Sequence, residues 1–177
     1  MELNECINTR RSIRKYQDKL VPRKDLEDIV EAGINGPTWK NSQTSRYFVI
    51  QDASKAEDFC KTCLPERNAN NAKNASIIVV GFIKNVSGHN NEKQPDNELG
   101  NMWGAFDMGL CVENMLLKAH ELGLGTLVMG IRDGAAIKKY FHIDDDIIIG
   151  PVISVGYPDI HPTKPPRKSI NDVSKFY

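Results

Sequence analysis

Arg10, Arg11, Arg14 and Lys15 surround Ser12 in the segment RRSIRKY. Four cations and a hydroxyl supply charge-assisted donors that suit a phosphate dianion, although the same residues could form a solvated basic turn. Thr38, Asn41 and Gln43 bunch small polar side chains in GPTWKNSQTS. Such a group can read the edge of a planar heterocycle, or simply decorate a loop. Cys60 and Cys63 form one CxxC, but there is no second pair and no histidine nearby at metal spacing, which favours a structural role and no metal site. Gly123-Leu124-Gly125 follows a helical stretch where the dinucleotide fingerprint requires a strand, and no P-loop is present. His89, His120, His142 and His161 stand apart from one another, so no hydrolytic triad assembles from sequence.

These residues need elements to position them, and the segment Met102 to Gly125 is the longest with helical spacing. At about 100° per residue Asp107, Asn114, Lys118 and Glu121 fall on one narrow polar stripe, while Met102, Phe106, Val112, Met115, Leu116, Ala119 and Leu122 cover most of the remaining girth. A helix that apolar needs partners on two sides. Glu113 lies off the stripe on the flank of His120, two turns and roughly 10 Å away, so the two are not expected to touch. Gly123 supplies a left-handed stop before the strand-like TLVMGI.

Taken in order, Leu3 to Asn8 reads as a short helix, and VPRKDLEDIVEAGIN as a second with Leu26, Ile29, Val30 and Gly33 on one face. YFVIQ is a strand and Ser54 to Cys63 a helix, followed by the polar connector PERNANNAKN. The β-branched run SIIVVGFI then predicts a strand covered on both faces. Lys84 to Asn101 is hydrophilic and reads as a long loop or lid. A short helix near Ala135 to Phe141 precedes the buried strand IIIGPVISVGY, and the proline-rich tail from His161 predicts no regular element.

With 177 residues and 40% apolar content, a single domain over 1–177 is expected. Twenty-three basic residues balance twenty-three acidic ones, leaving no field for nucleic acid or a membrane. The N-terminus has no apolar run of signal type, and no stretch is long enough to span a bilayer, which predicts a cytosolic protein with reduced thiols.

In this order and spacing, RRSIRKY, VPRKDLEDIVEAGINGPTWKNSQ, HELGLGT, the strand-end Met129-Gly130, VGYP and the late PPRKSI resemble the FMN-dependent nitroreductase family over nearly the whole chain. The resemblance implies an α/β (α+β) sandwich with a central mixed sheet flanked by helices, built as an intertwined homodimer with FMN at the interface. It further implies that Arg10, Arg11 and Ser12 hold the FMN phosphate with Arg167 from the tail, and that Arg14 approaches the pyrimidine edge of the flavin. Thr38, Asn41 and Gln43 would reach the flavin from the other subunit, and backbone groups at Met129 and Gly130 would face N5. A cation near N1 and O2 suits the charge that a reduced flavin gains, so no protein side chain need act as the acid.

The activity implied is hydride transfer from NADH or NADPH, then reduction of a nitroaromatic, quinone or similar small acceptor in a ping-pong cycle. A flavin-dependent dehalogenase or desaturase is the nearest alternative, and a non-catalytic module holding a flavin or phosphorylated ligand the alternative of another class. Where the family usually has Pro-Trp after the glutamine, this chain has Thr44-Ser45, with Trp39 moved upstream.

Overall fold

Every residue of β2 (Ser76–Ile83) except the last is buried, because a β-branched run between two layers of helices has no solvent side. This computed structural model describes residues 1–177. Around β2 the four-stranded sheet has the order β1-β2-β4-β3, with β1 (Ser45–Ile50), β3 (Gly125–Met129) and β4 (Ile147–Gly156). All four named strands pair antiparallel. The expected mixed character is therefore confined to one isolated parallel bridge, Ser12 to Thr126.

The helices form the two covering layers. On one face α2 (Arg23–Ile34) and α5 (Met102–Glu121) pack through Leu26, Ile29, Val112, Met115, Leu116 and Ala119 against Ile78, Val80, Ile153 and Val155. On the other, α3 (Ala53–Cys63), α4 (Glu66–Asn71) and α6 (Gly134–Phe141) cover Ile77, Val79 and Val152 with Phe59, Cys60, Cys63 and Ile137. The helix α1 (Leu3–Thr9) lies on α5, with the Cys6 thiol 3.4 Å from Leu117 O. At the crossing of α2 onto α5, a Cβ at Gly36 would stand 2.9 Å from the Cys111 Cα, a backbone contact that cannot give way.

Two sequence expectations are corrected here. The connector PERNANNAKN contains α4, whose only apolar residue is Ala69, with Ala72 just past its end, too few to give a helical period. The tail forms a four-residue turn of helix, α7 (Ile170–Val173), nucleated by a capping box between Ser169 and Asp172.

The central helix behaves as its composition demands on one side only. Met102 and Phe106 remain 60% and 55% exposed, and Gly109 and Glu113 continue the same open face. Segment 84–101 is not a loose lid. Asn85 N–H donates to Asn101 Oδ1 at 2.6 Å, Trp103 Nε1 donates to Asn97 Oδ1 at 2.9 Å, and His89 is buried beside Ser87.

Candidate functional site

After α1 the chain crosses the end of the sheet as an arm. Ile13 N–H donates to Thr126 O at 2.9 Å, Asp159 N–H to Lys15 O at 3.0 Å, and Gln17 N–H to Tyr157 O at 2.9 Å. Tyr16 anchors it from beneath: its buried hydroxyl lies 2.9 Å from Ile13 O and 2.9 Å from Ser154 Oγ. Burial pushes this phenol far up in pKa, with the Ser154 hydrogen bond and Arg14 only partly opposing. The arm therefore holds Arg10 and Ser12, half-buried, and Arg14, exposed, at alternate positions alongside the start of β3.

Arg11 is turned to a different task. Its Nη1 donates to Asn8 O and Arg10 O, both at 2.8 Å, which satisfies carbonyls at the C-terminal end of α1 and places a cation at that end of the helix. Arg167 donates to Pro165 O and Pro166 O at 3.3 Å and is exposed. Three residues before it, Lys164 Nζ donates to Asn8 Oδ1 at 2.7 Å, so the tail reaches the end of α1 from which the arm departs.

At the far end of β3, Met129 is buried and Gly130 has open space around it. Two neighbours fix the turn. Asn68 Nδ2 of α4 donates to Ile131 O at 2.8 Å, and Arg132 donates to Gly150 O at 2.9 Å and to Ile149 O. Asn68 was missed in the sequence, since no periodicity marks the helix that carries it. From Thr126, beside Ser12, to Gly130 is four residues, roughly 13 Å of extended strand.

Thr38, Asn41 and Gln43 sit elsewhere. Their loop enters β1 at Ser45, which pairs with Phe82 at the end of β2, whereas the arm lies at the end where Ser76 pairs with Val155. The length of β2 separates them, roughly 20 Å at about 3.3 Å per residue. The Thr38 hydroxyl is used within the loop, accepting from Gln43 N–H at 3.1 Å, while the Asn41 and Gln43 side chains are exposed.

The loop is held by a carboxylate that sequence reasoning left on the polar stripe. Asp107 is 3% exposed, and its Oδ2 accepts from Trp39 N–H at 2.9 Å and from Ser87 Oγ at 2.7 Å. Ser87 lies in turn 2.9 Å from Ser42 Oγ and 3.4 Å from Thr44 Oγ1. The Trp39 and Trp103 rings pack tilted at 46° with centroids 5.0 Å apart, and Trp103 meets Phe106 edge-on at 5.7 Å. The available signal was that Asp107 is the one charged residue between Met102 and Val112.

The two cysteines of the CxxC are free, buried in the core on α3, and burial raises their thiols to about 12 for Cys60 and about 11 for Cys63. Neither is a thiolate at neutral pH.

Comparison with known proteins places this architecture. The Nitroreductase family profile matches residues 7–157. A protein of Methanothermobacter thermautotrophicus, provisionally named NADH dehydrogenase/NAD(P)H nitroreductase, is 31% identical over 170 residues, covering 92% of this chain and 80% of that one. A nitroreductase family protein from Streptococcus pneumoniae superimposes with a TM-score of 0.83 at 18% identity, over 99% of this chain and 100% of the other. A protein from Desulfovibrio desulfuricans, provisionally assigned as a nitroreductase and solved with FMN, superimposes with a TM-score of 0.77 at 26% identity, over 98% and 96%. The chain belongs to the nitroreductase family.

Proposed function

We propose that this protein is an FMN-dependent oxidoreductase that takes hydride from NAD(P)H and reduces a nitroaromatic, quinone or similar small acceptor. The observation that carries the reading is the alignment along β3 of an arm bearing Arg10, Ser12 and Arg14 with an open strand end at Gly130. The roughly 13 Å between them suits a ligand with a phosphate at one end and a flat ring at the other. The FMN bound by the Desulfovibrio desulfuricans neighbour and the NAD(P)H in the name of the Methanothermobacter thermautotrophicus relative support the same choice.

In this reading Arg10 and Ser12 bind the phosphate, with Arg11 and Arg167 adding positive charge, and Arg14 faces the pyrimidine edge. Backbone groups at Met129 and Gly130 orient the ring, and Asn68 holds the turn that presents them. FMN supplies reversible two-electron chemistry at N5, and the protein supplies position and electrostatics. Thr38, Asn41 and Gln43 come from a second copy, because within one chain β2 separates them from the arm. The open apolar face of α5 at Met102 and Phe106 supports the same homodimer. No helix is long and apolar enough to cross a membrane, and four free buried thiols suit a reducing, cytoplasmic setting.

Absorbance of the purified protein tests the reading. A flavin band that bleaches anaerobically on NAD(P)H addition and recovers with a quinone is expected. A colourless protein that takes up no FMN would overturn it. Without a dinucleotide fold of its own, NAD(P)H uses the acceptor's place, so steady-state plots should be parallel and the two substrates competitive.

A further inference from the structure

Two hollows adjoin on the α3 side of the sheet, one of about 610 Å³ against α3 and α4 and one of about 560 Å³ between residues 15–18 and the end of α4. Neither lining includes Arg10, Ser12, Arg14 or Gly130. The residues common to both are Asp18, Asn70, Lys73 and Asn74, so the waist where the hollows meet is wholly polar.

The larger hollow has an apolar floor. Ala56 on α3, Ala69 on α4 and Ala72 just after it line the gap between these helices, and alanine is too short to close it. Val21 and Cys60, both buried, extend the floor, and Leu20 lines the mouth with 61% of its surface exposed.

The waist is set apart by its charges. Lys15 in the smaller hollow pairs with Asp159 at 2.6 Å, Lys61 in the larger pairs with Glu57 at 2.6 Å, and Lys19 Nζ sits 3.7 Å from the centre of the Tyr157 ring. Asp18 and Lys73 are the charged groups left over. They line the same space, yet neither side chain forms an ion pair or a hydrogen bond, even with the other. The Asn74 carboxamide lies 3.5 Å from Tyr16 O, and that of Asn70 is uncommitted.

We propose that this waist binds a free α-amino acid with an apolar side chain. The ammonium meets Asp18, the carboxylate meets Lys73 and an Asn70 N–H, and the side chain enters the alanine-lined hollow. A carboxylate and an ammonium that share a space without meeting select a ligand bearing both charges, since a simple acid leaves Asp18 unmatched and a simple amine leaves Lys73 unmatched. A peptide carries its two terminal charges on different residues and cannot place both here beside one side chain. Burial of that side chain supplies most of the affinity, and the exposed charges supply the selectivity.

Amide NMR of the isotope-labelled protein, titrated with L-leucine, reads the site through the backbone resonances of Asp18, Lys73 and Asn74. Saturable shifts are expected there, with half-saturation at or below about 10 mM. Three further probes each remove one feature. Isocaproate lacks the ammonium and isoamylamine the carboxylate, and each should bind about fivefold more weakly or worse, the range of one exposed ion pair. Glycine lacks the side chain and should bind about tenfold more weakly or worse.

Asp18→Asn and Lys73→Met alter exposed side chains, so their melting curves should match wild type while each weakens leucine about fivefold. The probe series uses the wild-type protein throughout and decides the matter even where a variant misfolds. Leucine that moves none of these resonances up to about 50 mM would overturn the site. So would any of the three probes binding as tightly as leucine, or a folded variant with undiminished leucine binding.

Discussion

The Asp107 carboxylate accepts the Trp39 backbone N–H at 2.9 Å, so the buried face of α5 holds the entrance of the loop that presents Asn41 and Gln43. That loop is conformationally costly. Lys40, Asn41 and Gln43 all have positive φ, at 48°, 53° and 49°, and a left-handed backbone at such residues persists only where the surroundings over-determine it.

Asp107→Ala should therefore leave Trp39 N–H unpaired and Ser87 Oγ with only its hydroxyl neighbours, at about 1 to 3 kcal/mol. For a domain of this size that is a fall of roughly 3 to 10 °C in the melting temperature. Asp107→Asn keeps an acceptor oxygen and should lose less. Calorimetry of the apo variants measures both, and equal melting temperatures for wild type and Asp107→Ala would refute the role.

The homodimer is tested most cleanly at Gly109. Nothing lies within 4 Å of a Cβ built there in the single chain, so Gly109→Leu has room in an isolated subunit. It fills the open face of α5 between Phe106 and Glu113. Sedimentation velocity should show a folded monomer for this variant and a dimer for wild type at micromolar concentration, with FMN lost from the monomer because Asn41 and Gln43 no longer reach it. A Gly109→Leu dimer that retains flavin would place the interface elsewhere.

Arg14 and Arg11 make a redox comparison. If the Arg14 guanidinium faces N1 and O2, it stabilises the anionic reduced flavin more than the neutral oxidised form. Unit charges ~4 Å apart at an effective dielectric near 20 interact by about 4 kcal/mol, which solvent access and delocalisation reduce to roughly 1 to 2. At about 30 mV per 1.4 kcal/mol for two electrons, Arg14→Met should lower the midpoint potential by roughly 20 to 40 mV. Arg11→Met should move it less, since its donors meet backbone carbonyls at the end of α1. Spectroelectrochemistry at saturating FMN decides; equal shifts would displace Arg14 from the pyrimidine edge.

Alkaline stability reports the buried thiols. Burial raises Cys60 from 9.0 to about 12 and Cys63 from 9.0 to about 11, so between these values the folded state keeps protons that the unfolded state has released. Their contribution to stability is complete below pH 9 and is lost as pH rises toward the folded values. Urea midpoints measured from pH 8 to 11 should fall less steeply in Cys60→Ala than in wild type. An unchanged slope would mean that Cys60 ionises alike in both states.

Much of the scaffold was legible because its elements announce their burial. The β-branched runs of β2 and β4 and the apolar periods of α2 and α5 leave few other readings. What escaped was set by tertiary context. The projection of α5 places Asp107 with Lys118 and Glu121, but segment 84–101 and Trp39 roof the N-terminal half of that helix, so one polar stripe is dry at one end and wet at the other. The pairing of Arg11 with the carbonyls of Asn8 and Arg10 was equally invisible, because RRSIRKY gives no sign of which cation caps α1 and which faces along β3.

The bridge from Ser12 to Thr126 also makes the arm a seal on an exposed sheet edge, since β3 is the last strand in the order β1-β2-β4-β3. Behind that seal Leu127 and Met129 are part of the core, and Val128 is already open to solvent. A chain whose arm has lifted presents unpaired strand backbone flanked by apolar side chains, the template on which other copies add edge to edge. Solubility of the ligand-free protein thus rests on the same arm that is proposed to carry the phosphate-binding residues, held down by Ile13, Tyr16 and Gln17. Lifting of the arm is expected to release the ligand and expose this edge together.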